Sequence, residues 1–279
     1  MSGIDSTSPD GVRIALHEFG GSGPTLVIAH ANGFCAGAYR PLAAYLSGSF
    51  RCVGIDLRGH GDSAAPASGV YSWDDVASDI ISAVLSLGEP DVVLFGHSLG
   101  GGTALLAEAT HPGLLRGAYL YEPIVFPAGF RHPDGQNPMV DAARRRRAIF
   151  SSRAEVLSRY ASRPPLNALR ADCLAAYVEA GFADLPDGTV RLKCAGEVEA
   201  QIFATEENVS TERVSGLALP VVVARGIAVT GFGPGQFAPE LVEALGNARL
   251  QDYSHLGHFG PLQDPETVGA DATAFLSSI

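Results

Sequence analysis

The chain has 279 residues, of which 46% are hydrophobic, enough for one large α/β domain with insertions or for two small domains. Its net charge of −11 and isoelectric point of about 5.1 argue against nucleic acid or an anionic membrane as the main partner. We expect a small-molecule substrate, no nucleic-acid or membrane partner, and a monomer or homodimer.

The beginning of the chain and its cysteines favour a cytoplasmic protein. The first residues, "MSGIDSTSPDG", lack the basic and apolar segments of a secretory signal. No stretch approaches the ~18 consecutive apolar residues of a membrane-spanning helix. The four cysteines show no paired spacing, which favours reduced thiols over a disulfide framework.

Short apolar runs alternate with longer segments of helical character, which predicts an α/β fold with a mostly parallel sheet and crossover helices. The predicted strands are apolar almost throughout, as in sheets covered on both faces: 25–30, 51–56, 91–97, 117–123, 219–226 and 248–254. The predicted helices are 37–47, 73–87, 99–110, 237–245 and 265–277. Residues 13–20, "RIALHEFG", predict an antiparallel edge strand.

Residues 125–216, here called the insertion, interrupt this alternation. They predict loops and helices without a strong strand, inserted after one strand and before the sheet resumes at Leu219. Within them, "RRRR" (144–147) is a run of positive charge in a predicted helix. A solvated helix face is the simpler interpretation, and a site for an anionic substrate group or a carboxylate partner is the alternative.

The segment "VVLFGHSLGGGTALLAEA" (92–109) carries the clearest chemical signal. A predicted strand ends, Gly96-His97-Ser98-Leu99-Gly100 follows, and a predicted helix begins. This is the G-x-S-x-G turn in its strand–turn–helix context, which lifts the serine hydroxyl above the sheet edge. We therefore predict that Ser98 is a nucleophile at a helix N-terminus, where developing negative charge is favoured.

A serine nucleophile needs a base, and His258 in "HLGHFGPLQDP" is the leading candidate. It lies just past the last predicted strand, at the sheet edge from which Ser98 emerges. His255 is the reserve candidate because it is nearer the strand end. His60 is more typical of a structural residue, and the side chain of His97 should point away from that of Ser98.

Acyl transfer also needs donors for the oxyanion. The backbone N–H of Leu99 is one candidate. The second is the N–H of Asn32, or that of Gly33, in "AHANGF" after the neighbouring strand. We list Gly33, Phe34 and His97 as candidate substrate-binding residues.

The segments "AHANGF", "IDLRGHGDS", "GHSLGG" and "GHFGPLQDP", in this order and spacing, resemble the α/β-hydrolase superfamily over essentially the whole core. The resemblance implies a core of residues 1–124 and 217–279 and a helical cap of residues 125–216. It also implies a Ser–acid–His triad in that chain order.

The acid departs from the commonest pattern of this superfamily. There it follows the strand that resumes after the cap, which here leads to Val229 rather than a carboxylate. In some members, including a group of haloalkane dehalogenases, the acid ends the strand before the cap, which here gives Glu122. Pairing with an arginine or capping a helix are alternatives for Glu122. Asp252 as the acid, a Ser–His dyad and an impaired triad also stay open.

These residues predict a serine hydrolase of carboxylic esters, lactones or thioesters with a small or medium apolar substrate. Ser98 would attack, His258 would carry the proton, Glu122 would orient the imidazole, and Asn32 and Leu99 would bind the oxyanion. No metal or cofactor is expected, since no cluster has ligand spacing. A carbon–carbon bond hydrolase or cofactor-free lyase, and a ligand-binding protein with little turnover, are the alternatives.

Overall fold

A computed structural model of the protein describes residues 4–130, 137–205, 209–228 and 233–279, and its main feature is an eight-stranded sheet. The strands lie in the order β1-β2-β4-β3-β5-β6-β10-β11. Their bounds are β1 Ile4–Thr7, β2 Arg13–Gly20, β3 Thr25–Ala29, β4 Arg51–Ile55, β5 Val93–His97, β6 Gly117–Tyr121, β10 Val221–Gly226 and β11 Ala248–Tyr253. All pairings are parallel except those of β1 with β2 and of β2 with β4.

Helices cover both faces of this sheet. Those outside the insertion are α1 Arg40–Leu46, α2 Trp73–Ser86, α3 Leu99–Thr110, α8 Ala238–Leu245, α9 Gly260–Gln263 and α10 Pro265–Leu276. Every residue of β3, β5 and β6 is buried, because the alternate side chains of each strand enter two separate apolar clusters. The continuous apolar runs in the sequence reflect this double burial.

The insertion contains helices and a second sheet. Its helices are α4 Pro138–Arg144, α5 Arg153–Ala161, α6 Ala171–Gly181 and α7 Gly196–Ala204. Its antiparallel sheet has the order β7-β9-β8, formed by β7 Ile149–Phe150, β8 Phe182–Asp184 and β9 Val190–Leu192. The sequence analysis did not anticipate this sheet, because strands of two or three residues are too short to show an alternating pattern.

Short 3₁₀ turns complete the chain, at Ala36–Tyr39, Leu166–Ala168, Thr211–Val214 and Pro234–Phe237. One further expectation was wrong: "RIALHEFG" is not an edge strand, because β1 pairs on its outer side. The four-residue β1 is polar and gave no strand signal. Among the described helices, none is long and apolar enough to span a membrane.

Candidate active site

Ser98 lies in the sharp turn between β5 and α3. Its backbone is left-handed, with φ of 55° and ψ of −113°, an uncommon conformation for a residue with a side chain. The turn needs a small residue two positions later, since a Cβ on Gly100 would lie 2.4 Å from the carbonyl oxygen of Ala29. Ser98 is buried and lines a cavity between the sheet edge and the insertion.

Two backbone N–H groups line the same cavity without an acceptor. Leu99 is the first residue of α3, so its N–H has no partner within the helix. Asn32 lies in the loop after β3, and among the described residues neither its N–H nor that of Leu99 has a hydrogen-bond acceptor. Both residues are buried. Unpaired buried donors are costly, so these two N–H groups are ready to donate to an anionic oxygen.

The neighbouring Gly33 is not available as a donor. Its N–H donates to Nε2 of His60 at 3.1 Å, and Nδ1 of His60 lies 3.0 Å from the carbonyl oxygen of Arg58. Burial lowers the pKa of His60, which keeps its ring neutral and able to accept. Of the two donors that the sequence left open, the geometry therefore favours Asn32.

Residues of the insertion contact the carbonyl oxygen of Gly33 in the same loop. The hydroxyl of Tyr177 donates to the carbonyl oxygen of Gly33 at 2.9 Å, and Arg146 Nη2 donates to that hydroxyl at 2.7 Å. Arg146 Nη1 lies 3.4 Å from the same carbonyl oxygen and pairs with the carboxylate of Glu199. The Asn32 side chain donates to the carbonyl oxygen of Glu199 at 3.1 Å. The loop is thus fixed from both sides.

His258 contacts Glu122 at the sheet edge. Nδ1 of His258 lies 2.7 Å from Oε2 of Glu122, whose side chain is only 6% exposed. The other oxygen, Oε1, accepts from the N–H of Gly226 at 3.0 Å. Glu122 itself has φ of 41°, an unusual backbone conformation that directs its side chain between the strand ends.

Strand order explains why Glu122 reaches this histidine. β6 lies between β5, which leads to Ser98, and β10, which leads toward Val229. A carboxylate at the end of β6 therefore lies beside the end of β10, as the contact with Gly226 shows. Val229 itself lies outside the described residues.

The alternative residues are engaged elsewhere. Asp252 pairs with Arg225, with Oδ1 and Nε 2.7 Å apart, so it is not the partner of His258. His255 is exposed, and its Nε2 lies 3.3 Å from Asp264. Glu122 is paired with His258 rather than with an arginine.

Of the three candidate substrate-binding residues, two line the cavity, namely Gly33 and Phe34. His97 does not: it is fully buried behind the site. Its Nε2 lies 2.8 Å from the carbonyl oxygen of His258, and its Nδ1 lies 2.6 Å from the hydroxyl of Tyr39. Burial holds the pKa of His97 well below its usual value, so the ring is neutral. His97 therefore supports His258 and does not contact the cavity.

The cavity has a volume of about 1410 Å³ and a mixed lining. Its apolar wall includes Trp73, Ile124, Phe150, Ile202 and Phe259. Arginines of the insertion contribute a polar wall, among them Arg146 of the "RRRR" run. That run is not a solvated face throughout, because Arg146 is largely buried against Glu199.

A cluster that the sequence analysis missed brings together ligand-type atoms of His17, Asp56 and Asp62. The oxygens of Asp56 already accept from His17 Nε2 at 2.7 Å and from the N–H groups of Ala36 and Asp62 at 2.7 and 2.8 Å. The pKa of His17 is raised, chiefly by its hydrogen bond to Asp56. The cluster is internally hydrogen-bonded and lies apart from the cavity lining.

Known proteins resemble the chain, some of them over nearly its full length. The non-heme chloroperoxidase of Streptomyces lividans is 28% identical over 277 residues, 98% of this chain and 99% of the relative. The 2-(acetamidomethylene)succinate hydrolase of Mesorhizobium japonicum is 36% identical over 96 residues, which is 34% of each chain. A crystal structure of E-2-(acetamidomethylene)succinate hydrolase superposes with a TM-score of 0.78 at 24% identity, covering 99% of both chains. The model of the alpha/beta hydrolase family matches residues 26–271, and the chain belongs to that family.

Proposed function

We propose that the protein is a serine hydrolase of carboxylic esters, lactones or thioesters, and that Ser98, His258 and Glu122 form its triad. The observation that carries this proposal is the 2.7 Å contact between His258 and the buried Glu122. His258 and Ser98 line one cavity with the two unpaired N–H groups of Asn32 and Leu99. Ester hydrolysis needs these four functions in one place.

In the first half-reaction, Ser98 Oγ attacks the ester carbonyl carbon while His258 Nε2 takes the hydroxyl proton. The carbonyl oxygen becomes negative and accepts from the N–H groups of Asn32 and Leu99. The tetrahedral intermediate then collapses: the bond to the leaving oxygen or sulfur breaks, and His258 returns the proton to the leaving group. An acyl group remains on Ser98.

In the second half-reaction, water attacks the acyl carbon and gives its proton to His258. The bond to Ser98 breaks, the proton passes to Oγ, and a carboxylic acid leaves. Glu122 accepts from Nδ1 throughout, which keeps Nε2 free to act as the base and stabilises the imidazolium. The charge of Glu122 is further stabilised by the N–H of Gly226.

We also propose that the insertion acts as a cap that selects the substrate. It supplies most of one wall of the cavity, and its Tyr177 and Arg146 contact the loop that carries the Asn32 N–H. The apolar wall suits a substrate with a small or medium apolar body. By its name, one relative hydrolyses a small succinate derivative, which supports a small-molecule substrate here.

The direct test is acyl-enzyme formation with 4-nitrophenyl butyrate. We expect a burst of one nitrophenolate per site and, after acid quenching, a butyryl group on the peptide that contains Ser98. Ser98→Ala should abolish both signals. Ser158→Ala, which removes an exposed hydroxyl outside the cavity, should leave both unchanged. A panel of esters without Ser98-dependent turnover would contradict the proposal and favour the lyase or ligand-binding alternatives.

A further inference from the structure

The cavity is positively charged in an acidic protein. Among the described residues that line it, six are arginines, two are glutamates, and none is a lysine or an aspartate. The lining therefore carries a net charge of +4 with His258 neutral, whereas the whole chain carries −11. A concave surface lined by one sign of charge concentrates ligands of the opposite sign.

Three of the six arginines are neutralised by carboxylates close to them. Arg146 pairs with Glu199. Arg147 Nη1 lies 2.6 Å from Glu155, and Arg225 Nε lies 2.7 Å from Asp252. These three are accounted for by contacts within the protein.

The other three have weak partners or none among the described residues. Arg145 reaches only Asp141, at 4.0 Å, with both side chains exposed, which contributes little. Arg159 and Arg163 have no carboxylate within 4.0 Å in the part of the chain that the structure describes. Arg159 belongs to α5 and Arg163 follows its C-terminal end, so both guanidinium groups are available to an anionic ligand in the cavity.

Arg159 and Arg163 line the same cavity as Ser98 and Asn32. Tyr160 follows Arg159 in the sequence, and its ring stacks on that of Tyr177 with centroids 6.2 Å apart. The hydroxyl of Tyr177 in turn contacts the carbonyl oxygen of Gly33. The rings of Tyr160 and Tyr177 thus connect the segment that carries Arg159 to the loop that carries the Asn32 N–H.

We propose that Arg159 and Arg163 bind a carboxylate of the substrate, several carbon atoms away from the ester that Ser98 attacks. This inference rests on the proposed function and narrows its substrate class to esters that carry a remote carboxylate. Guanidinium groups suit this task because their paired N–H groups match the two carboxylate oxygens. The apolar residues that line the same cavity would contact the connecting carbon chain.

The test compares two esters that differ only in the terminal group: the 4-nitrophenyl half-ester of adipic acid and 4-nitrophenyl hexanoate. The first ends in a carboxylate and the second in a methyl group. After subtraction of the Ser98→Ala rate, we expect kcat/KM for the adipate half-ester to exceed that for the hexanoate by about tenfold or more. Rising salt should shrink this preference because the interaction is electrostatic. A preference for the hexanoate would overturn the proposal.

The arginines are tested by a double variant, Arg159→Gln with Arg163→Gln. It should lower kcat/KM for the adipate half-ester about tenfold and leave that for the hexanoate within about twofold. The matched control is Arg191→Gln, which removes an exposed arginine of the insertion that does not line the cavity. Equal losses on both esters, or an equal effect of the control, would contradict a carboxylate site.

A binding measurement separates this proposal from the hydrolase proposal. Adipate is titrated calorimetrically into Ser98→Ala, alone and combined with the double variant. We expect binding that weakens about tenfold in the combined variant, whether or not either ester turns over. Hydrolysis of the hexanoate without adipate binding would leave the serine hydrolase standing and overturn the carboxylate site. Adipate binding without turnover of either ester would leave the carboxylate site standing and overturn the serine hydrolase.

Discussion

Tyr177→Phe tests whether the insertion holds in place the loop that carries the N–H of Asn32, the proposed oxyanion donor. The hydroxyl of Tyr177 donates to the Gly33 carbonyl oxygen at 2.9 Å and accepts from Arg146 Nη2 at 2.7 Å. One neutral and one charge-assisted hydrogen bond are lost, which should cost about 1–3 kcal/mol of unfolding free energy. The carbonyl oxygen keeps only the longer 3.4 Å contact with Arg146 Nη1. The N–H of Asn32, one residue earlier, is then less firmly directed into the cavity.

The kinetic consequence should appear in kcat rather than in KM. Complete loss of an oxyanion donor costs about 10²–10³ in kcat, so a loosened donor should cost about tenfold. Steady-state hydrolysis of 4-nitrophenyl butyrate and urea unfolding measure the two effects. Tyr160→Phe is the matched control: it removes the hydroxyl of the stacked neighbour, which has no hydrogen-bond partner among the described residues. A folded Tyr177→Phe with unchanged kcat would refute the supporting role.

Gly33→Ala should lower the free energy of unfolding by about 1–3 kcal/mol, because Gly33 has a φ of +76° and the new methyl group would lie 2.7 Å from the side chain of Glu199. It should also lower kcat at least tenfold, because the N–H of the adjacent Asn32 would move. Thermal unfolding and ester kinetics check this, and wild-type values for both would contradict the described loop. Burial lowers the pKa values of His30, His60 and His97, and that of His30 falls to about 3. Since the unfolded chain protonates them near pH 6.5 and the folded chain does not, stability should fall as pH drops below about 6.5, by up to about 1.4 kcal/mol per pH unit for each. His17, with its raised pKa, does not change this slope, because its contribution is complete below about pH 6.5 and is lost only as the pH rises through its folded-state pKa. Urea unfolding at pH 7, 6 and 5 measures the slope, and equal stabilities at these pH values would contradict it.

The core fold could be predicted closely because its signals are local and repeated. The predicted strand 51–56 is β4, Arg51–Ile55, and the predicted helix 73–87 is α2, Trp73–Ser86. This helix begins where the hydroxyl of Ser72 accepts from the N–H of Asp75. Double burial makes the central strands continuously apolar, which is a strong pattern.

The insertion could be predicted only in outline. Its strands are too short for periodicity, and one of the pairings joins segments that are distant in sequence, Ile149–Phe150 and Val190–Leu192. The residues that contact the loop around Asn32 and Gly33 also gave little signal, because they come from distant parts of the sequence. Arg146 was visible only as one of four arginines, and Tyr177 lies 144 positions from the Gly33 carbonyl that it contacts.

The candidate site could be predicted in part because the carboxyl ends of parallel strands meet at one edge of the sheet. Ser98 was marked by its turn and His258 by its place after the last strand. The N–H of Gly33 could not be excluded from sequence, since its acceptor, His60, comes from another loop. Naming His97 as a substrate-binding residue was wrong: its side chain points away from that of Ser98, as the turn predicted, and is fully buried outside the cavity lining.

The assignment of Glu122 as the acid is the central claim, and a pair of variants tests it directly. Glu122→Gln should lower kcat for 4-nitrophenyl butyrate by about 10³–10⁴, because the amide no longer fixes the tautomer or stabilises the imidazolium. Asp252→Asn, which removes the other carboxylate considered, should stay within about twofold because Asp252 pairs with Arg225. Near-normal kcat in Glu122→Gln, or a 10³-fold loss in Asp252→Asn, would contradict the Ser98–Glu122–His258 triad.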